Sequence, residues 1–378
     1  MKIKSGNVES VGNALRGVPG IANGSSSAVL RNATEGVPYS DGSSVVKTAA
    51  PLIDRFGRVH RDLRISVTDR CNIRCFYCMP AENVRFKPRS ELLTFEEIER
   101  FVQVAASLGV CKLRLTGGEP LVRHDLPRLI ARLARTPGID DIALTTNGIL
   151  LAEQAQGLRD AGLKRLNISL DTLDPETFRK ISRREGFEQV LEGIFAAQRV
   201  GFDKIKLNAV AIKGLSEPDV VPLGRFARER GLEMRFIEYM PLDAEGKWDN
   251  DQVLSGDAIL QMLAAEFGPL EPLADCDPSQ PARDYRFVDG GGVIGFINPV
   301  THPFCSDCNR LRLTAEGQIR NCLFSTVEWD ARALLRRGES DASLSELIRD
   351  CVAAKKAGHG INSDEFVRPE RAMFQIGG

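Results

Sequence analysis

From Asp62 onward, apolar residues recur with two alternating periods. Leu63, Ile65 and Val67 alternate with polar neighbours, which predicts a half-buried strand ending at Thr68. Thr94-Phe95-Glu96-Glu97 then reads as a capping box. It opens a helix with Ile98, Phe101, Val102, Ala105 and Leu108 on one face, and Gly109 stops it. Five further strands are predicted at Lys112–Thr116, Asp141–Thr146, Arg165–Leu170, Ile205–Ile212 and Glu233–Tyr239, with helical patterns around 151–161, 187–200 and 219–230. Strands separated by helices imply βαβ units and a parallel sheet, an α/β chain. If the sheet curls, right-handed crossovers place every helix outside, giving an incomplete (βα)6 barrel. A flat doubly wound sheet has the same periodicity. Both place ligand chemistry at the carboxyl ends of the strands.

The pattern changes at both ends. Ser, Gly and Asn supply 19 of the first 50 residues, too little apolar surface to offset the entropy of ordering. Residues 1–54 therefore read as a disordered extension. A transit peptide is the rival, although Glu9, Glu35 and Asp41 run against its acid-poor composition. Residues 55–245 carry the strand–helix alternation. Beyond about 245 it gives way to Gly290-Gly291-Gly292, a strand-like Val293–Ile297 and a cysteine group, so 246–378 reads as a C-terminal region of another kind.

With 378 residues, 43% hydrophobic and 27% charged, the chain can bury a large core. Its net charge of −1 argues against nucleic acid or an anionic membrane as main partner. No apolar run approaches a membrane span. Nine cysteines with close local spacing and no secretory signal point to metal ligation in a reducing cytoplasm rather than to disulfides.

Cys71, Cys75 and Cys78 form C-x3-C-x2-C just after the first strand. Three thiolates on one loop can hold three irons of a 4Fe–4S cubane, which normally takes four cysteines, and so leave one iron open to another ligand. A zinc knuckle would need a fourth ligand, and His60 precedes the strand. Cys305, Cys308 and Cys322 form a second incomplete set, C-x2-C-x13-C. A zinc ribbon completed by Cys276, Cys351 or His302 is the alternative there. Otherwise Cys111, Cys276 and Cys351 read as small apolar residues. Arg310 and Arg312, two apart on an extended segment, point the same way and could clamp a phosphate, or could form a solvated face.

The first triplet, with an aromatic before its last cysteine, closely resembles the radical S-adenosylmethionine (SAM) signature. Gly117-Gly118-Glu119-Pro120 resembles that superfamily's motif for the methionine end of SAM. Arg64–Cys71, Leu115–Pro120, Leu144–Gly148, Ser169–Asp171, Arg235–Glu238 and Phe304–Arg310 together resemble the GTP 3′,8-cyclase family of molybdenum cofactor biosynthesis, from about residue 55 to Gly377-Gly378. The resemblance implies an incomplete barrel of radical SAM type with a C-terminal cluster-binding extension.

It also implies two 4Fe–4S clusters, on Cys71, Cys75 and Cys78 and on Cys305, Cys308 and Cys322. SAM contacts would come from Tyr77, Gly118, Ser169 and Met240, and GTP contacts from Arg64, Arg114, Thr145, Lys206, Arg235, Arg310 and Arg312. Arg64, Arg310, Arg312, Gly377 and Gly378 would act in catalysis, the Gly-Gly tail reaching into the site. The implied reaction removes hydrogen from ribose C3′ with a 5′-deoxyadenosyl radical, joins C3′ to guanine C8, and yields (8S)-3′,8-cyclo-7,8-dihydroguanosine 5′-triphosphate. The implied partners are GTP, an electron donor and, downstream, the cyclic pyranopterin monophosphate synthase; a homodimer is one open assembly. Two rival functions remain: a two-cluster radical SAM enzyme acting on peptides, and a non-catalytic metal-binding scaffold.

Overall fold

The computed structural model describes residues 50–274 and 277–377. The first 49 residues, Cys276 and Gly378, on which expectations fell, lie outside them. Residues 50–54, assigned to the extension by composition, belong to the fold instead: Leu52 and Asp54 are buried, and Leu52 exchanges backbone hydrogen bonds with Leu108 and His60.

One twelve-stranded sheet organises the chain. Its strands are β1 (Asp62–Ser66), β2 (Lys112–Thr116), β3 (Asp141–Thr146), β4 (Arg165–Ser169), β5 (Ile205–Ala211), β6 (Glu233–Glu238), β7 (Leu270–Pro272), β8 (Arg283–Phe287), β9 (Val293–Ile297), β10 (Arg310–Leu313), β11 (Gln318–Arg320) and β12 (Trp329–Asp330). β1 to β6 run parallel in sequence order. Two strands from the C-terminal third extend this array, β9 beside β6 and β10 beside β1, both parallel. The parallel core therefore has eight strands. β7–β8 and β11–β12 are antiparallel additions at its margins.

Outward-facing strand residues, among them Leu63, Ile65, Leu113, Leu115, Leu144, Ile168, Leu207 and Phe236, form the main core with the helices. The first helix, α1 (Phe95–Ser107), starts where its capping box predicts. Thr94 Oγ1 accepts from the Glu97 N–H and the Glu97 carboxylate accepts from the Thr94 N–H, at 3.1 and 2.7 Å. Such a cap contributes about 1 kcal/mol.

Inward-facing residues behave differently. Arg64, Arg114, Thr145, Ser169, Asn208, Arg235, Ile297 and Arg310, one from each parallel strand, line a single cavity of about 280 Å³. A flat sheet cannot bring residues from all eight strands around one space, so the sheet is curled and the flat alternative falls. β9 and β10 end the parallel array yet follow one another in sequence. The segment that joins them, residues 298–309, carries Cys305 and Cys308.

Candidate active site

All six cysteines of the two triplets line the cavity. Residues 71–78 follow β1, where the chain leaves the carboxyl end of the parallel sheet. That loop is tied down by its own backbone and by Arg74, which donates to the Cys71 and Ile73 carbonyls at 2.7 and 2.8 Å. Gly117 and Gly118 hold the second strand's loop against it. A Cβ on Gly117 would lie 2.5 Å from the Thr68 carbonyl oxygen, and one on Gly118 2.4 Å from that of Arg70. The glycines serve first to let two backbones touch.

Glu119, which the sequence motif contained but to which no role was given, locks this corner. Its buried carboxylate accepts from the Leu121 N–H, the Thr146 hydroxyl and the Asn147 N–H at 3.0, 2.7 and 2.7 Å. Burial nevertheless raises it to about 7. Asn147 in turn reaches Asn72 Oδ1 at 2.7 Å and lies 3.8 Å from Cys71 Sγ. Tyr77 donates its hydroxyl to Asp171 at 2.6 Å, and Asp171 is fixed by the Val210 N–H at 2.8 Å. Tyr77, Gly118, Ser169 and Met240 all reach the cavity wall.

Across the cavity the strands supply cations. Register places Arg64 beside Arg114 on one side and beside Arg312 on the other, and pairs Arg310 with Asp62. Three arginines thus stand in a row on one face of adjacent strands, an arrangement that repels itself. Burial, then Arg312, Arg114 and Arg310, push the Arg64 guanidinium well below its ordinary value; burial and Arg310 bring Arg312 down to about 9. Arginine does not give up its proton in proteins, so the pressure calls for an anion. Among the described residues, none of Arg64, Arg114, Arg310 and Arg312 has an ion-pair partner, and the Nε atoms of Arg64, Arg114 and Arg310 are buried without a hydrogen bond. Phe304 stacks beneath the Arg310 guanidinium, 4.5 Å from its carbon.

Two other expected anion contacts stand apart. Lys206 is not among the residues that line the cavity. It lies directly across from Glu233 on β6 and its Nζ donates to that carboxylate at 2.6 Å. Arg235 does line the cavity, but Glu233 and Asp284 neutralise it. Gly377 sits beside the arginine row, its carbonyl accepting from Arg312. At φ +69°, with Thr116 Cγ2 2.8 Å from where a Cβ would be, the position suits glycine alone.

The donor sets fit sulfur-ligated iron. Each triplet presents three thiols to the same cavity, the donors that an iron–sulfur cluster takes. Among the described residues, neither Cys351 nor His302 completes a zinc ribbon. Cys351 is buried in the main core, and His302 lies at the surface hydrogen-bonded to Asp257 at 3.2 Å. Burial and then Glu119 raise the Cys71 thiol to about 11. Cys308 goes the other way: burial raises it, but Arg310 and Lys355 together outweigh that and bring it down to about 6.

Residues 65–227 match the radical SAM superfamily, and residues 232–361 match the molybdenum cofactor synthesis C-terminal family. A protein of Rhodopirellula baltica named GTP 3′,8-cyclase is 55% identical over 330 residues, 86% of this chain and 92% of that protein. The chain belongs to the GTP 3′,8-cyclase family. A Mycobacterium tuberculosis protein named GTP 3′,8-cyclase 2 is 46% identical over 92% of this chain and 97% of its own. Among solved structures, Streptococcus suis SuiB bound to its precursor peptide superposes with a TM-score of 0.56 at 18% identity, covering 83% of this chain and 76% of that one. For anSMEcpe with bound AdoMet the values are 0.54 and 14%, covering 82% and 89%. At such identities these two show the radical SAM fold alone. As a GTP 3′,8-cyclase family member, the chain carries the family's cofactor set, SAM and 4Fe–4S clusters.

Proposed function

We infer that the chain converts GTP into (8S)-3′,8-cyclo-7,8-dihydroguanosine 5′-triphosphate, the first step of molybdenum cofactor biosynthesis. The observation that carries this reading is a set of arginines without carboxylate partners that line the same cavity as two cysteine triplets. Cys71, Cys75 and Cys78 would hold one 4Fe–4S cluster, and Cys305, Cys308 and Cys322 the other. When bound with SAM, the first cluster would supply one-electron reducing chemistry.

The chain's own residues then have three tasks. Arg64, Arg114, Arg310 and Arg312 bind the triphosphate, each guanidinium gaining the counter-charge its burial demands. Tyr77, braced by Asp171, together with Gly118, Ser169 and Met240, places SAM at the opposite wall. The curled sheet, with its seam crossed by residues 298–309, keeps water from the reacting carbon and fixes both substrates at short range. The net conversion breaks the C3′–H bond, forms a C3′–C8 bond and returns one hydrogen, so the product is an isomer of GTP. Thr145 lines the same wall and adds a hydroxyl contact to GTP. Lys206 and Arg235 support that wall through Glu233 rather than adding free charge.

We place residues 55–245 in SAM binding and 246–378 in holding the second cluster. Among the described residues no helix is long and apolar enough to cross a membrane; a cytoplasmic setting, a one-electron donor, the pyranopterin synthase as consumer and a homodimeric assembly complete the proposal. Gly377 caps the arginine row through its carbonyl, and Gly378 follows it in the sequence. Deleting both is expected to leave iron content and GTP affinity nearly unchanged while turnover collapses.

The experiment is anaerobic reconstitution followed by incubation with SAM, dithionite and GTP. The expected result is 5′-deoxyadenosine and a cyclised product with the mass of GTP. SAM cleavage that ignores GTP and responds to a peptide would favour the peptide-modifying alternative; no cleavage in iron-loaded protein would favour a scaffold.

A further inference from the structure

Behind Cys308 the chain buries a lysine. Lys355 follows the helix Asp341–Ala353, is only 3% exposed, and is not among the residues that line the cavity. Lysines are seldom buried without a counter-charge. Among the described residues Lys355 has no carboxylate partner. Its Nζ instead lies 3.5 Å from Cys308 Sγ and donates to the Arg310 carbonyl at 3.0 Å. Arg310 reaches the same sulfur from another side, also at 3.5 Å. Cys308 thus receives two cationic donors.

The lysine is held there by a buried brace. Arg58 donates to the carbonyls of Cys305, Ala357 and Lys356 at 2.6, 3.1 and 2.8 Å. It thereby ties the cysteine loop to the segment that carries Lys355. Arg58 is itself oriented by Asp54, whose Oδ2 takes the Arg58 Nε at 2.6 Å and lies 3.1 Å from His60 Nε2. A buried ammonium beside a neutral thiol is poorly placed, whereas beside a thiolate it is one half of a charge-assisted pair.

We propose that Lys355 is a positioning residue for the second cluster: its hydrogen bond and charge draw electron density from the Cys308 thiolate and raise that cluster's reduction potential. Hydrogen bonds and charge at ligating sulfurs are among the main determinants of iron–sulfur potentials. The proposal rests on the reading that Cys305, Cys308 and Cys322 hold a 4Fe–4S cluster.

The test uses the full chain with Cys71, Cys75 and Cys78 changed to Ala, so that one cluster remains, reconstituted and titrated potentiometrically by electron paramagnetic resonance. Lys355→Met is expected to shift the midpoint to lower potential, and Lys355→Arg to keep most of the original value. An unchanged midpoint in Lys355→Met with full iron overturns the proposal. Should Lys355→Met fail to retain iron, the comparison of Arg and Gln variants decides. Iron kept by Arg and lost by Gln supports a role for charge; iron lost by both, or kept by Gln with an unchanged midpoint, means that shape alone matters. If the parent triple variant forms no cluster at all, the two-cluster reading itself fails, and the proposal fails with it.

Discussion

The two cysteine triplets open onto one cavity from opposite electrostatic surroundings. After burial, the strongest influences on Cys71 and Cys75 are the carboxylates Glu119 and Asp171, and these thiols are pushed up. On Cys308 the strongest are Arg310 and Lys355, and this thiol is pulled down to about 6, although burial pushes its neighbour Cys305 up. Negative surroundings disfavour adding an electron and so suit a cluster that must give one away. Positive surroundings suit a cluster that shares its cavity with a triphosphate. The same barrel thus offers an electron-releasing end and an anion-holding end, and the difference lies in which charged side chains approach each triplet.

The largest expected effect tests whether the two ends are separable. Changing Cys71, Cys75 and Cys78 to Ala is expected to leave about half of roughly eight irons per chain and to abolish SAM cleavage. Changing Cys305, Cys308 and Cys322 to Ala is expected to leave a similar half, retain SAM cleavage and lose GTP conversion. Iron analysis and 5′-deoxyadenosine release on the two preparations check this. Retained cleavage in the first variant would break the comparison.

A second effect comes from acid. His60, in the brace behind the second triplet, is lowered to about 4 by burial and then by the nearby Lys355 charge. The unfolded chain therefore takes up a proton between about pH 6.5 and 4 that the folded chain refuses, and this contribution to stability is lost as pH falls through that window. Its size is ~3 kcal/mol across the whole window. Glu119 and Asp171, raised by burial to about 7 and about 6, have the opposite sign: their contributions are present below their unfolded values and are lost as pH rises. The histidine slope is therefore read as the difference between the chain and its His60→Phe variant in urea unfolding at several pH values. Parallel curves would remove His60 from the account.

Smaller still is the contrast within the cations. Arg310→Ala removes a guanidinium that has no carboxylate partner and is expected to weaken GTP binding by about 1.5–3 kcal/mol, roughly tenfold or more, with little change in substrate-free SAM cleavage. Lys206→Ala removes a cation already committed to Glu233 and is expected to change GTP binding by only a few-fold. Equilibrium dialysis ranks the two; a larger loss from Lys206→Ala would show that Glu233 does not hold it in the bound state.

What could be read from sequence followed from range. The six strands of the βα array lie within about two residues of their predicted bounds, because alternation and the Thr94 capping box are local signals. Short helices such as Leu126–Leu133 and Pro175–Ser182 span about two turns, too few for a period to stand out. The helix Gly256–Phe267 is apolar on most sides and so shows little contrast between faces. Non-local pairing left no trace at all. The direction of Arg310 and Arg312 was legible from their spacing, but their position beside Arg64 depends on β10 returning to pair with β1. The neutralisation of Lys206 depends likewise on β5–β6 register. Glu119, Asn147 and Asp171 stood inside quoted motifs and gained their roles only when the hydrogen bonds were seen. Lys355 belongs to no motif; a lysine buried after a helix has no signature in one sequence.

The division of labour between the triplets is tested most directly by spectroscopy on the two triple variants, each reconstituted to a single cluster and examined by electron paramagnetic resonance with SAM or GTP added. The account predicts that SAM perturbs the spectrum only when Cys71, Cys75 and Cys78 remain, and GTP only when Cys305, Cys308 and Cys322 remain. The reverse pattern, or a response of one cluster to both ligands, would contradict it.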